Sequence, residues 1–314
     1  MLNQMISIII PLFNEEESLP QLYDRLIGVF ANEQNIEFIF IDDGSYDNSL
    51  KILESIAEND KRVKIIAFRR NFGKSPALAA GFKKAKGQII VTMDADLQDQ
   101  PEEIPKLIKR LNEGYDLVIG WKFPRLDPIG KRLPSKVINF ITSSLTGLKL
   151  HDMNSGLKVM RREVIEEVSL YGELHRFMPH LAHMKGFKVC EEKVKHCERI
   201  FGKSKFGAKR FLSGIFDLTT IIFLGKFGKK PLHFFGLFGL VLLLIGFFIN
   251  LYMAYLRFKY GSILGRLPLL LLGILNMIVG IQFISIGLIG ELMASYYVKE
   301  KEYAIKKEIG FEDS

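Results

Sequence analysis

From residue 5 to about residue 120, short apolar runs alternate strictly with segments of helical period. ISIII, EFIFID, VKIIAF, QIIVTMD and DLVIG read as strands. EEESLPQLYDRLIGVF, DNSLKILESIAEND, SPALAAGFKKA and PEEIPKLIKRLNEG read as helices. Asp47 or Asn48 suits the N-cap of the second helix, and Pro101 suits the first turn of the last. Such an alternation leaves few folds open. Parallel strands need crossover connections, and the helices that supply them cover both faces of the sheet. Strands that are apolar throughout, rather than at every second position, agree with burial on both faces. The expectation is an α/β domain around a mostly parallel, Rossmann-like sheet.

Ligands of such sheets sit beyond the carboxyl ends of the strands. The polar clusters of this sequence fall there: PLFNEEE, DDGSYDNS, RRNFGKS and DADLQDQ follow the first four strands in turn. One such cluster is readily a helix cap and a turn. Four in register predict one pocket, with carboxylates on one side and Arg69, Arg70 and Lys74 on another. That composition suits a metal-bound diphosphate. No G-x-G-x-x-G follows the first strand and no G-x-x-x-x-G-K-[ST] occurs, so dinucleotide and P-loop sites are excluded.

VTMDADLQDQPEE, residues 91 to 103, gathers like charges at a strand end. Asp94 and Asp96 are two residues apart, so an extended chain projects both carboxylates to one side. Their repulsion calls for a cation. Mg²⁺ or Mn²⁺, a hard ion that takes one or two carboxylates plus substrate phosphates, fits, with the Gln98 carbonyl as a further oxygen. Asp99 and Glu102 have a milder explanation, because negative charge is favoured at the start of a helix.

The last third of the chain changes solvent. Residues 233–256 and 267–298 are each long and apolar enough to cross hydrocarbon, which takes about 20 residues. The short connector RFKYGSILGR makes them a hairpin. Lys226, Lys229 and Lys230 precede it and Lys299, Lys301, Lys306 and Lys307 follow it, against Arg257, Lys259 and Arg266 in the connector. The positive-inside rule then places both ends in the cytoplasm. FLSGIFDLTTIIFL, residues 211 to 224, reads as an interfacial helix. Asn250, Asn276, Gln282 and Glu291 within the spans suit contacts between helices or between subunits.

Net charge of +8 over 314 residues points to an anionic partner or membrane surface. Nucleic acid is not expected, since no recognition motif occurs. Cys190 and Cys197, with six residues between them, match neither a disulfide framework nor a common zinc spacing. His175, His180 and His183 read as ordinary helix residues rather than a zinc site, with His175 and Arg176 near substrate as a secondary expectation. MISIIIPLF lacks the basic start of a signal peptide.

IIIPLFNEEESL, IDDGSYDNS, RNFGKSPALAAGF and MDADLQDQPEEI together resemble the GT-A-fold inverting nucleotide-sugar glycosyltransferases. The branch is that of dolichyl-phosphate mannose synthase and the bacterial polyprenyl-phosphate glycosyltransferases. The resemblance covers roughly residues 5 to 225, and it implies a GT-A fold and a UDP- or GDP-sugar donor. It implies that Pro11, Asn14, Glu16, Asp43, Asn71, Lys74, Asp94 and Asp96 bind the nucleotide sugar, and that Asp94, Asp96 and Gln98 hold Mg²⁺ or Mn²⁺. Asp42 stands where many members have Asn. HDMNSGLKVMRRE resembles the acceptor-side loop D-x-x-S-G-F-K/R, with Leu157 in place of the aromatic. An acidic residue that some members carry after that glycine is missing, so Asp152 is the nearest carboxylate for an orienting or base role. Asp94, Asp96 and Asp152 are therefore the catalytic candidates.

A phosphate acceptor scarcely needs a base, because its second pKa is about 6. It does need cations. GKRLPSK offers Lys131 and Arg132 beside Ser135, and ERIFGKSKF, which resembles the mobile loop of the family, offers Arg199, Ser204 and Lys205. The resulting expectation is a membrane enzyme that transfers one hexose to polyprenyl phosphate. Its catalytic domain is 1–204, its interfacial segment 205–230, its hairpin 231–298 and its cytoplasmic basic tail 299–314. A homo-oligomer is consistent with the hairpin. Two rivals remain: a processive polysaccharide synthase, disfavoured because Trp121, the only tryptophan, lies outside any Q-x-x-R-W motif, and a non-catalytic nucleotide-sugar-binding scaffold, disfavoured by intact Asp94 and Asp96. The sequence does not name the sugar.

Overall fold

The computed structural model describes residues 4–123, 143, 147–168, 174–195, 197, 223, 230–262 and 264–297. Lys131, Arg132, Ser135, Arg199, Ser204 and Lys205 lie outside these residues, as do the 299–314 tail and all of 205–230 except Phe223 and Lys230. The chain divides into two compact units, Met1–Ile221 and Ile222–Ser314.

The first unit is built on a seven-stranded sheet of order β3-β2-β1-β4-β6-β5-β7. The strands are β1 (Ile6–Leu12), β2 (Ile36–Asp42), β3 (Val63–Ala67), β4 (Ile89–Thr92), β5 (Leu117–Lys122), β6 (Lys158–Arg161) and β7 (Val189–Val194). All neighbouring pairs are parallel except those made by β6, which runs antiparallel between β4 and β5. β6 was not among the expected strands. It is four residues long and begins with a lysine, so its sequence carries almost no strand period.

The helices α1 (Leu19–Phe30), α2 (Ser49–Asn59), α3 (Lys74–Lys84) and α4 (Ile104–Asn112) fall where the helical periods are. α1 buries Leu19, Leu22, Leu26 and Phe30, a stripe at helical spacing. Each such side chain contributes about 1.5–3 kcal/mol when fully removed from water. Asn48 occupies the N-cap of α2 without a side-chain cap bond; Asp47 Oδ1 accepts the Ser49 N–H instead, at 3.0 Å. A 3₁₀ turn at Pro101–Glu103 leads into α4. Two short helices follow, α5 (Arg162–Glu167) and α6 (Met178–Met184), the latter preceded by a 3₁₀ turn at Leu174–Phe177.

The sheet core is largely apolar, and Glu37 is a buried ionic group within it. Glu37, in register with Ser7 on the neighbouring strand, is 1% exposed. Its carboxylate accepts from Ser7 Oγ, from Lys64 Nζ and from the Lys86 N–H at 2.6 Å. Burial pushes this carboxyl up, but Lys64, Ser7 and the Lys86 N–H outweigh that and hold it below its usual value.

The second unit is two long helices, α7 (Pro231–Tyr260) and α8 (Leu267–Tyr297). Thirty residues span roughly 45 Å; both helices are long and apolar enough to cross a bilayer. They meet through glycines seven residues apart. A Cβ on Gly239 would lie 2.5 Å from the Gly280 carbonyl oxygen, and one on Gly246 would lie 2.5 Å from that of Gly273. Such contact lets two backbones approach closely. Glu291 Oε2 accepts the Leu232 N–H at 3.2 Å, so one helix supplies the cap that the other lacks.

Candidate active site

The loops after β1 and β2 are zipped together. Asn14 adopts a left-handed backbone, φ 53°, which asparagine tolerates. Its N–H donates to Ser45 Oγ at 2.9 Å and its Oδ1 accepts the Tyr46 N–H at 2.8 Å. Glu16 Oε2 accepts from the Asn48 N–H at 2.8 Å and from Asn48 Nδ2 at 2.9 Å. Pro11 is half-buried near the end of β1. Tyr46, which the sequence reading did not single out, is 82% exposed beside this pair of loops, with the Phe13 ring edge-on at 5.8 Å.

Asp43 is buried, and its carboxylate points towards the loop after β3. Oδ1 accepts the Phe72 N–H at 2.7 Å and Oδ2 the Gly73 N–H at 2.9 Å. Two backbone donors that would otherwise lack partners are satisfied by one side chain. Gly44 has φ +72°, and a Cβ there would overlap the Arg70 backbone, so only glycine permits this approach. Of the basic residues in RRNFGKS, Lys74 alone turns to the carboxylates. Arg69 and Asn71 are exposed, and the Arg70 guanidinium lies 4.7 Å over the Phe72 ring.

The turn after β4 holds the charge. Lys74 Nζ pairs with Asp94 Oδ1. The Asp94 N–H donates to Asp99 Oδ2 at 3.1 Å, and Lys122 Nζ lies 2.9 Å from Asp99 Oδ1. Asp96 is buried, and its Oδ1 accepts the Gln98 N–H at 3.2 Å. Between them Leu97 is fully buried with φ 60°. A left-handed leucine costs on the order of 1–3 kcal/mol and is found where a site needs it. It turns the chain so that Asp96 and Gln98 follow Asp94 at one corner.

β6 enters this corner from the opposite direction. Thr92 Oγ1 donates to the Gly156 carbonyl at 2.9 Å. Gly156 is pressed against the acids: a Cβ would lie 2.6 Å from Asp94 Oδ2 and 2.6 Å from Asp99 Oδ2. Lys158, opposite Thr92, is buried and donates to the Ser155 carbonyl. Asp152 is buried, its N–H held by Glu191 Oε1 at 2.8 Å.

Lys74, Lys122 and Lys158 therefore act on Asp94, Asp99 and Asp152, with the Lys74–Asp94 pair partly open to water and the others largely buried. Burial pushes the Asp94 carboxyl up, but Lys74, Lys122 and Lys158 outweigh it and hold it far below the carboxylate range. Burial alone would lower Lys122, yet Asp99 and Asp94 raise it above the usual lysine value. Lys158 goes the other way: burial and the Lys74 ammonium bring it down to about 8, against Asp94, Asp99 and Asp152. Lys122 and Lys158 were missed as site residues. Lys158 fills the K/R position of the D-x-x-S-G-F-K/R loop, whereas the only sequence signal for Lys122 is a lysine at the end of an apolar strand, and its partner Asp99 is remote in the chain.

The oxygen donors suit a divalent hard cation. Among the described residues no third carboxylate, imidazole or thiolate joins Asp94 and Asp96 in a metal-sized group. A metal at this corner would complete its shell from Gln98, water and substrate phosphates, the usual habit of Mg²⁺. His180 is fully buried and held down to about 4, by burial first and then by His183, so it is neutral. The Cys197 N–H donates to the Gln98 carbonyl at 3.4 Å.

Residues 7–169 match the model of glycosyl transferase family 2. The dodecaprenyl-phosphate galacturonate synthase of Rhizobium johnstonii is 34% identical over 303 residues, covering 94% of this chain and 89% of that protein. The undecaprenyl-phosphate 4-deoxy-4-formamido-L-arabinose transferase of Proteus mirabilis is 37% identical over 311 residues, covering 97% and 94%. In structure, glucosyl-3-phosphoglycerate synthase from Mycobacterium tuberculosis in complex with Mn²⁺, UDP-glucose and phosphoglyceric acid superimposes with TM-score 0.55 at 18% identity, over 70% of this chain and 80% of that one. This last likeness is one of fold.

Proposed function

The chain belongs to glycosyl transferase family 2 and has its GT-A fold, and from that premise we infer that it transfers a single hexose from a UDP- or GDP-sugar to polyprenyl phosphate. The observation that carries this reading is the extent of the match to relatives named for polyprenyl-phosphate sugar transfer. It runs over 94% and 97% of the chain, so it takes in the apolar hairpin as well as the catalytic unit. The hairpin would cross the membrane twice, with residues 1–204 and the 299–314 tail on the cytoplasmic face. The 205–230 segment would lie at the interface.

Asp94, Asp96 and Gln98 would hold Mg²⁺ or Mn²⁺, which when bound neutralises charge on the departing nucleoside diphosphate. Lys74 is already at the Asp94 oxygen and carries its charge to the same phosphates. With Asp96 counted, four aspartates stand against three lysines, so a diphosphate is best accommodated together with its own cation. Pro11, Asn14, Glu16 and Asn71 would line the nucleotide side. Asp43 acts there through the Phe72–Gly73 backbone it braces.

The reaction is one displacement with inversion. A phosphate oxygen of the lipid attacks the anomeric carbon as the bond from that carbon to the diphosphate oxygen breaks. The attacking oxygen is already ionised near neutrality, so positioning and charge carry the rate. Asp152 orients the acceptor side. Lys131, Arg132, Ser135, Arg199, Ser204 and Lys205 would bind the acceptor phosphate.

The test uses the full chain in nanodiscs with Mn²⁺, polyprenyl phosphate and a panel of UDP- and GDP-hexoses, read by mass spectrometry of the lipid. One added hexose, lost with chelator and with Asp96→Ala, is expected. A ladder of hexoses, or no lipid product from any donor, overturns the reading.

A further inference from the structure

A buried polar pair remains outside the chemistry assigned so far. Ser75 follows Lys74 in the first turn of α3 and is 1% exposed; His175, in the 3₁₀ turn before α6, is 8% exposed. Ser75 Oγ and His175 Nδ1 are 2.7 Å apart. The His175 main-chain N–H donates to the same Oγ at 3.3 Å. Among the described residues the Ser75 hydroxyl has no other acceptor, so its proton goes to Nδ1. A ring nitrogen that accepts carries no proton, and a neutral imidazole then bears its proton on Nε2.

The ring is neutral for a physical reason. Burial, then the charges of Lys74, Arg176 and Lys158, hold His175 well below the usual histidine value, with Asp94 opposing. Ser75 follows Lys74, whose Nζ pairs with Asp94, so the hydrogen bond to Ser75 sets the ring beside the diphosphate corner. His175 therefore brings an uncharged N–H donor to a place crowded with cations and carboxylates. Nε2 finds no acceptor among the described residues, which leaves it open to a ligand oxygen.

We propose that His175, fixed as its Nε2–H tautomer by Ser75, donates a hydrogen bond to an oxygen of the donor nucleotide sugar, on the hexose or on the diphosphate. This rests on the nucleotide-sugar reading above. The pair is a selector of oxygen acceptors. It adds no charge to a cluster already near balance, and it cannot accept a hydrogen bond from the ligand while Ser75 occupies Nδ1.

Two isosteres separate binding from architecture. In His175→Asn the amide oxygen can take the place of Nδ1 and accept the Ser75 proton, so that contact survives and the far donor is lost. In His175→Gln the amide nitrogen sits near Nε2, so the donor survives and the contact with Ser75 is lost. The experiment measures kcat/KM of the full chain in nanodiscs with Mn²⁺ and the donor that the panel selects, alongside thermal unfolding and titration calorimetry with UDP and GDP. His175→Asn is expected to lose about 10- to 100-fold in kcat/KM at little cost in Tm, the range for a hydrogen bond to a ligand oxygen, neutral or charged. His175→Gln is expected to lose less than His175→Asn, and Ser75→Ala to fall between them.

If His175→Asn also weakens the nucleoside diphosphate alone, the acceptor oxygen is on the diphosphate; if only the nucleotide sugar is weakened, it is on the hexose. The reverse order, with His175→Asn like wild type and His175→Gln impaired, makes the pair structural and overturns the proposal. Wild-type protein that binds neither UDP nor GDP with Mn²⁺ overturns the nucleotide-sugar reading itself, and this proposal with it.

Discussion

Gly156→Ala should disable the site while leaving the fold standing. The glycine does not need a left-handed backbone, so alanine meets no strain of its own there. The obstacle is the pair of carboxylates in front of it. The new methyl would lie 2.6 Å from one oxygen of Asp94 and one of Asp99, where ordinary contact begins at 3.4 Å, so the acids must retreat by about 0.8 Å. Asp94 cannot move without loosening Lys74, and Asp99 cannot move without loosening Lys122. A misplacement near 1 Å costs roughly 100-fold in rate, about 2.7 kcal/mol of barrier. Overpacking of this kind costs about 1–3 kcal/mol in stability, within the 5–15 kcal/mol or so that a domain has. The assay is kcat/KM for hexose transfer beside Tm, with Gly28→Ala as the control. Gly28 lies within α1 and has nothing within 4 Å of a Cβ, so that variant should gain about 0.5–1 kcal/mol and keep full activity. A folded Gly156→Ala protein with wild-type kcat/KM would refute the claim that the position of Asp94 sets the rate.

Three further outcomes are expected. Asp43→Ala removes two hydrogen bonds from the Phe72 and Gly73 N–H groups to a charged acceptor, costing about 1.5–3 kcal/mol; Tm should fall and UDP or GDP binding should weaken, both measurable by calorimetry. Glu37→Gln should destabilise by about 1–3 kcal/mol at neutral pH. Because the folded carboxyl is held below its unfolded value, its contribution is present above the unfolded value, near 4.3, and is lost as pH falls through the folded one; the gap between variant and wild type in urea unfolding should therefore close in acid. Gly246→Leu drives a side chain into the Gly273 backbone, so cysteines placed on α7 and α8 should lose their oxidative cross-link in detergent while a Leu251→Ala control retains it.

The strand ends were legible because apolar runs and polar punctuation are local signals, and Asn14, Asp43, Asp94 and Asp96 all come from them. What those side chains do once there is tertiary. Asp43 looks like a ligand in DDGS, yet its carboxylate is bonded to a loop 29 and 30 residues away. Lys122 and Lys158 join the site only because β6 inserts between β4 and β5, a pairing that a four-residue strand cannot announce. His175 was noticeable beside Arg176, but Ser75, 100 residues upstream, turns it from an ordinary polar residue into an oriented donor. The pair of long apolar helices was the plainest feature, since length and apolar content mark it, whereas the glycine pairing that joins α7 to α8 needs register between two helices.

The reversed direction of β6 has an evolutionary consequence. β5 ends at Lys122 where it reaches the site, and β6 begins at Lys158 on the same edge of the sheet. The chain between them departs from and returns to one side, so it need not carry a crossover as the parallel connections do. Lengthening such an excursion costs only about 0.6 kcal/mol per doubling in closure entropy. Insertions well ahead of Asp152 and Gly156 can accumulate without disturbing the register of β1 to β4 or the carboxylates at their ends. That excursion is thereby free to diversify, while the carboxylates at the ends of β1 to β4 stay under the geometric discipline of the sheet.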